Sequence, residues 1–270
     1  MTGAPAIFDI HQHFGSVMGV PGSGGSDAAS LELDCRKRLE FMDSQGIVQA
    51  ALMPGHSYSA PGGLADVKAI NDRLHAYGAL APQRFPALFG TVDPRHGARH
   101  NVAEVERLNG LGFRGLSWHN RFQGLPIDHE VMFDVVDRMD HFGMVAMMHC
   151  YANGDFESPW RLRRLAERFP GTTFVALDAM TSPENLEQMI AIAERCGNVF
   201  IDLTTTTLGA RGVLWAVERV GADRLVFGSN SYSMVKVSRI AALEAVRAAS
   251  LPQDEGRAIL GGNALRLLGL

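Results

Sequence analysis

Two histidines one residue apart, His11 and His13, stand in Phe8-Asp9-Ile10-His11-Gln12-His13-Phe14. Residues 6–10 read as a short apolar strand. Side chains two apart on an extended chain point to one side, so both imidazoles project together from its C-terminal end. Two converging imidazoles are half of a metal site. The plainer reading is two unrelated histidines at a strand end. His149 and Asp178 end further apolar runs, and Ser229-Asn230 follows another. His56, Trp118, His119 and Arg121 lie at or just past the ends of other runs. His119 and Arg121 suit an anionic substrate, because a guanidinium grips a carboxylate bidentately.

Something must bring these side chains to one place. Eight apolar runs, at 6–10, 47–53, 87–92, 113–118, 144–149, 173–178, 199–203 and 224–228, alternate with helical patterns. The clearest helix covers 159–169, with Ser158 as cap and Pro159 at its first position. Ser182-Pro183-Glu184 opens the next helix, and Ser250-Leu251-Pro252 the last. Asp128 is read as the cap of a helix that Gly143 stops. Strand–helix alternation with near-continuous apolar strands predicts parallel β/α units. Eight units in 270 residues predict a single α/β domain over residues 1–270, a (β/α)₈ TIM barrel. An open doubly wound sheet is the alternative, but no G-x-G-x-x-G follows the first strand. Barrel enzymes carry their chemistry at the C-terminal ends of the strands, which is where the polar residues fall. Gly22 to Ser30 is read as a mobile loop on that side, or equally as a plain surface loop.

Composition narrows the function. A net charge of −4 argues against nucleic acid and anionic membranes, and no apolar run is long enough to span a bilayer. Three scattered cysteines, Cys35, Cys150 and Cys196, make no disulfide framework. With no leader-like N-terminus, a cytoplasmic location is expected. Cys150 neighbours His149 on a strand and therefore points away from it.

His11-Gln12-His13, His149, Gly112-Phe113-Arg114-Gly115, Phe227-Gly228-Ser229 and Gly261-Gly262-Asn263-Ala264-Leu265-Arg266-Leu267-Leu268 resemble the amidohydrolase superfamily. The nearest branch is the amidohydrolase-related (amidohydrolase 2) group. It includes 2-pyrone-4,6-dicarboxylate lactonase, sugar lactonases and aminocarboxymuconate-semialdehyde-type decarboxylases. The resemblance implies a distorted barrel with a divalent metal on the strand-one histidines, the strand-five histidine and a strand-eight Asp. In many members a strand-six His assists. Here the strand-eight position is Asn230, and strand six offers Asp178, or Ala179 if the count slips by one. Ser117 stands where binuclear members carry a lysine, so a carboxylated-lysine bimetal centre is not expected.

Asn230 offers only a weak neutral ligand and cannot take a proton from water. Asp178 restores the missing negative charge. The expected site has His11, His13 and His149 as metal ligands, with Asp178 as fourth ligand or general base. Asp178, His149 and Asn230 are then the catalytic candidates, and His56, Trp118, His119 and Arg121 the substrate contacts. The alternative for Asp178 is a strand-end cap or a pair with Arg121. One zinc or manganese ion is expected, with a metal-free site as the alternative because Asn230 replaces the Asp. The first functional reading is a hydrolase that opens a small cyclic carboxylated compound such as a lactone. The second is a lyase, a decarboxylase or hydratase of a similar acid. The third is a barrel that binds without turnover. A small anionic partner fits all three, and a homodimer follows by analogy alone.

Overall fold

The computed structural model describes residues 6–15, 27–55, 60–151, 154–232 and 239–270. The strands are β1 (Ile7–Phe14), β2 (Ile47–Pro54), β3 (Ala87–Gly90), β4 (Gly115–Trp118), β5 (Val145–His149), β6 (Phe174–Leu177), β7 (Val199–Asp202), β8 (Leu225–Val226) and β9 (Ser231–Tyr232). All pair in parallel, in the order β8-β7-β6-β5-β4-β3-β2-β1-β9. The eight predicted runs all carry strands. β8 and β9 are successive pieces of one segment, so the strand that leaves β7 arrives at β1 and the sheet closes. Closure is fastened by Ile10 N–H to the Phe227 carbonyl (3.0 Å), Asn230 N–H to the His11 carbonyl (2.8 Å) and Ser229 N–H to the Asp9 carboxylate (2.9 Å). The architecture is a (β/α)₈ barrel.

Side chains alternate between two apolar layers. Phe8, Ile10, Ala51, Met53, Phe89, Val145, Met147, Val175, Leu177, Phe200 and Val226 fill the barrel. Their neighbours Ala50, Leu52, Leu116, Ala146, Met148, Phe174, Ala176 and Ile201 face the helices. Burying each large apolar side chain contributes about 1.5–3 kcal/mol. The closing Gly261–Leu268 segment seals the barrel base, since Ala264 and Leu268 join the interior cluster. Gly261 is needed there because a Cβ would lie 2.8 Å from the Ala6 carbonyl oxygen.

β1 runs further than the sequence predicts, through Phe14 rather than stopping at Ile10. Its register against β2 slips between Asp9 and Gln12. Phe8 and Ile10 face the interior, so strict alternation would send His11 and His13 outward. The irregularity reverses the parity, as bulges do. The two histidines then continue the inward row, and Phe14 joins the outer layer.

Ser182 accepts from Asn185 N–H at the start of the helix Pro183–Arg195, as predicted. The Ser158 hydroxyl instead bonds the Gly154 carbonyl at the start of Pro159–Arg168. His129, not Asp128, caps Glu130–His141, and Asp128 is held by Arg161 and Arg164 at 2.7 Å each. The last predicted helix divides into Gln253–Arg257, a π-helical turn and Asn263–Leu268. Most of the Gly22–Ser30 reading lies outside the described residues; Asp27 caps the helix Ala28–Gln45, which holds the rest. Among the described residues no helix is long and apolar enough to cross a membrane.

Candidate active site

His11, His13 and His149 meet at the C-terminal mouth of the barrel, one ligand nitrogen of each lying within 4.8 Å of the others. All three are buried. Each Nδ1 is committed to an acceptor: Asp202 Oδ2 (2.8 Å) for His11, the Pro54 carbonyl (2.7 Å) for His13 and the Trp118 carbonyl (2.6 Å) for His149. These oxygens can only accept, so each Nδ1 carries the proton. This outer support is what fixes imidazole ligands to a metal. His11 Nε2 and His13 Nε2 stand 2.9 Å apart. With both Nδ1 atoms protonated, that contact needs a shared proton or a cation. Imidazole nitrogens bind divalent zinc at about 2.0–2.1 Å, so two of them at right angles on one ion lie about 3 Å apart. A divalent ion therefore fits the His11–His13 pair, with His149 the third donor of the group.

The surrounding charges act unequally on the metal-free site. Burial lowers the pKa of His11, but the Asp202 hydrogen bond and the charges of Asp202, Asp178 and Asp9 outweigh it and raise it. Burial, with His119, His11 and His13 close by, holds His149 well below the ordinary imidazole value. His149 is thus neutral, the form that binds metal.

Asp178 lies across from His149, with Oδ2 4.0 Å from Nε2. It is buried, and its Oδ1 has no hydrogen-bond partner among the described residues. Burial raises its pKa, with Asp202 and Glu157 adding to the effect against His11 and His119. Alternation along β6 would turn residue 178 outward. Its left-handed backbone, φ 55°, reverses the parity, so Asp178 and not Ala179 lines the cavity. Asn230, at φ 53°, lines the same cavity. Such conformations cost free energy and persist where the surroundings enforce them. Asp and Asn are the non-glycine residues that tolerate them best.

The cavity, about 130 Å³, is lined among the described residues by His13, Gly55, His119, Phe122, His149, Asp178, Asn230 and Tyr232. His119 stacks on His149 (4.1 Å between centroids, 9°), and Tyr232 stacks on His13 (4.9 Å, 25°). Phe122 packs against His119 at 4.2 Å. The mouth is a slot with aromatic walls and a floor of imidazole and carboxylate.

Not every predicted contact is there. The Trp118 side chain is fully buried in the outer layer, so only its carbonyl reaches the site. Alternation explains this, because Trp118 keeps the outward parity of Leu116. Arg121 lies at the edge, its guanidinium over Tyr151 (5.5 Å) and Phe122 (5.9 Å), and makes no ion pair with Asp178 among the described residues. His56 lies outside the described residues. Cys150 points into the outer layer, as expected. Sequence reading did not single out Asp202 as the partner of His11, nor Thr204, whose hydroxyl is 3.2 Å from His11 Nδ1. It also passed over Glu157, Phe122 and Tyr232. Their signal is a meeting of segments far apart in the chain, which spacing does not carry.

Gly228 lets the last strand approach this support. A Cβ there would lie 2.4 Å from Asp202 Oδ1, 2.6 Å from His11 Cβ and 2.6 Å from Thr204 Oγ1. Gly228→Ala is expected to displace the His11–Asp202 pair and weaken metal binding about 10- to 100-fold. Titration of the metal-free protein with Mn²⁺ measures this.

No curated protein sequence matches the chain. Solved structures share its fold. 2,6-Dihydroxybenzoate decarboxylase from Rhizobium is 17% identical with a TM-score of 0.74, covering 98% of this chain and 99% of that one. 5-Carboxyvanillate decarboxylase from Sphingomonas paucimobilis is 18% identical with a TM-score of 0.71, covering 99% and 100%. Dihydroxybenzoic acid decarboxylase from Polaromonas sp. JS666, solved with manganese and 2-nitroresorcinol, is 17% identical with a TM-score of 0.72, covering 99% and 98%. The amidohydrolase family model matches residues 8–270, and the chain belongs to that family.

Proposed function

We propose that this protein is a metal-assisted lyase that decarboxylates a small planar, aromatic-type acid. The observation that carries the reading is the set of three imidazoles, each anchored through Nδ1, facing a buried carboxylate whose Oδ1 has no hydrogen-bond partner. His11, His13 and His149 would hold one divalent ion, with Asp178 as fourth ligand or proton carrier. The aromatic walls suit a flat ring, and the acids named for the similar barrels are dihydroxybenzoates and 5-carboxyvanillate. A lactone hydrolase, the first expectation from sequence, has the family in its favour but not these relatives.

When bound, the ion would supply Lewis acidity toward the oxygens of the acid. The chain's own groups do the rest. Phe122 and Tyr232 flank the ring, His119 and Arg121 meet its polar edge, and the cavity limits access of water. In the metal-free site burial shifts the Asp178 carboxyl toward its protonated form, and in this reading Asp178 is the general acid. It delivers a proton to the ring carbon that bears the carboxylate. The bond to the carboxylate carbon breaks, its electron pair returns to the ring and carbon dioxide leaves. Asp178 then regains a proton from water. Asn230 completes the slot as a neutral polar wall.

The test is elemental analysis of the purified protein together with assay of a dihydroxybenzoate panel for carbon dioxide release. About one divalent ion per chain and release of carbon dioxide support the reading; release without metal, or lactone opening instead, overturns it. In the cavity that Asp178 lines, Asn230→Asp would put a second carboxylate. Its φ suits Asp as well as Asn. The variant is expected to bind Mn²⁺ about tenfold more tightly, as a charged ligand replaces a neutral one. A metal titration compares the two proteins.

A further inference from the structure

His119 is held by a residue outside the metal-binding group, Glu157. Its carboxylate is fully buried in the loop before Pro159–Arg168. Glu157 Oε1 accepts from His119 Nδ1 at 2.6 Å and from the Arg121 main-chain N–H at 2.9 Å. One oxygen thus fixes both the imidazole and the start of the short helix Asn120–Gln123, which carries Phe122. The loop itself is pinned by the Glu157 N–H to the Gly154 carbonyl and by Ile127 N–H to the Phe156 carbonyl. Glu157 Oε2 has no hydrogen-bond partner among the described residues. Burying a carboxylate is costly unless it is paired, and the side-chain partner Glu157 has among the described residues is His119.

We propose that Glu157 is a positioning residue: its Oε1 sets the ring plane of His119 against His149 and presents the Nε2 edge to a polar substituent of the bound acid. This rests on the reading of the slot as the acid's binding place. The geometry accounts for the near-parallel stack on His149, which Nδ1 holds from one side and Phe122 from the other. A ring turned over would aim its Nδ1 at the cavity and leave Glu157 with the Arg121 N–H alone.

The experiment is steady-state kinetics of Glu157→Ala, Glu157→Gln, His119→Gln and the Glu157→Ala/His119→Gln double variant, with metal content and histidine-ring ¹⁵N NMR on each full-length protein. Glu157→Ala is expected to lower kcat/KM about 10- to 100-fold, with metal content unchanged. Glu157→Gln keeps an acceptor oxygen and is expected to recover most of the loss. The double variant is expected to be no worse than His119→Gln, because both act through one ring. Retention of kcat/KM within about twofold in Glu157→Ala, or additive losses in the double variant, overturns the proposal. If Glu157→Ala does not fold, Glu157→Gln decides. Its His119 must keep the Nδ1-protonated tautomer, and a lost pattern overturns the assignment. If the wild type decarboxylates no acid in the panel, the functional reading has failed. The tautomer still judges Glu157, since an unchanged His119 pattern in Glu157→Ala refutes its part.

Discussion

His149→Ala is expected to lose both metal and turnover. The metal content falls from about one ion per chain to near zero, and decarboxylation falls by at least about 10³-fold. His149 is the one ligand candidate brought by β5; the other two imidazoles come from β1. Without it, only the two β1 imidazoles and the Asp178 carboxylate remain to hold an ion. The ring is also the middle of a stack, between His119 at 4.1 Å and His13 at 5.7 Å. A kinetic loss alone would therefore not separate a lost ligand from lost packing. Thermal unfolding with and without Mn²⁺ does. A ligand at 100 times its Kd stabilises the folded state by about 2.7 kcal/mol. For a chain of this size that raises Tm by roughly 5–10 °C. The wild type is expected to show this rise and His149→Ala none. A wild type whose Tm ignores Mn²⁺ would show that the three histidines are packed for their own sake.

Asp178→Asn is expected to move stability and activity in opposite directions. Asn accepts the left-handed backbone at this position and nearly matches the shape of Asp, so the fold is kept. Activity is expected to fall about 10²- to 10⁴-fold, the range for a lost acid–base group. Stability of the metal-free protein rises, because a buried carboxylate with its Oδ1 unpartnered is removed; each kcal/mol relieved raises Tm by about 2–4 °C. The sign follows from the pKa. A carboxyl whose folded pKa lies above its unfolded value binds its proton more tightly when folded. In the wild-type apoprotein this group therefore destabilises the fold at neutral pH. The penalty shrinks as pH falls through the folded pKa, and below the unfolded value of 3.8 it is gone. The stabilising effect of Asp178→Asn should accordingly be largest near pH 7 and vanish in acid, as denaturant titrations at several pH values would measure. A variant that keeps full activity would remove Asp178 from the chemistry.

Much of this site was legible in the sequence, for a definite reason. His11, His13 and His149 sit at the ends of apolar runs, and a parallel barrel carries all such ends to one mouth. Period-two alternation also placed Cys150 correctly. The same rule, applied without knowledge of local irregularities, failed where the backbone breaks it or where it was not applied. Trp118 kept the outward parity that a strand residue should have. Asp178 escaped that parity through a positive φ, which composition does not reveal. The slip in β1 that turns His11 and His13 inward was equally invisible, although the pair was read correctly as sharing a side. Glu157, Phe122 and Tyr232 come from a loop, a one-turn helix and a short strand piece, so only the folded chain shows what they meet.

The seam between the first strand and the last has a consequence for biosynthesis. Asp9 takes the amide of Ser229, 220 positions later in the chain, and Asn230 takes the carbonyl of His11. Translation makes His11 and His13 well before Asp202, the anchor of His11, and before Gly228, which lets the last strand approach that pair, whereas the Pro54 carbonyl that holds His13 comes early. Contacts so distant along the chain form slowly. A product terminated between His149 and Asp202 would therefore carry all three imidazoles without the carboxylate that holds His11 or the seam that closes the sheet.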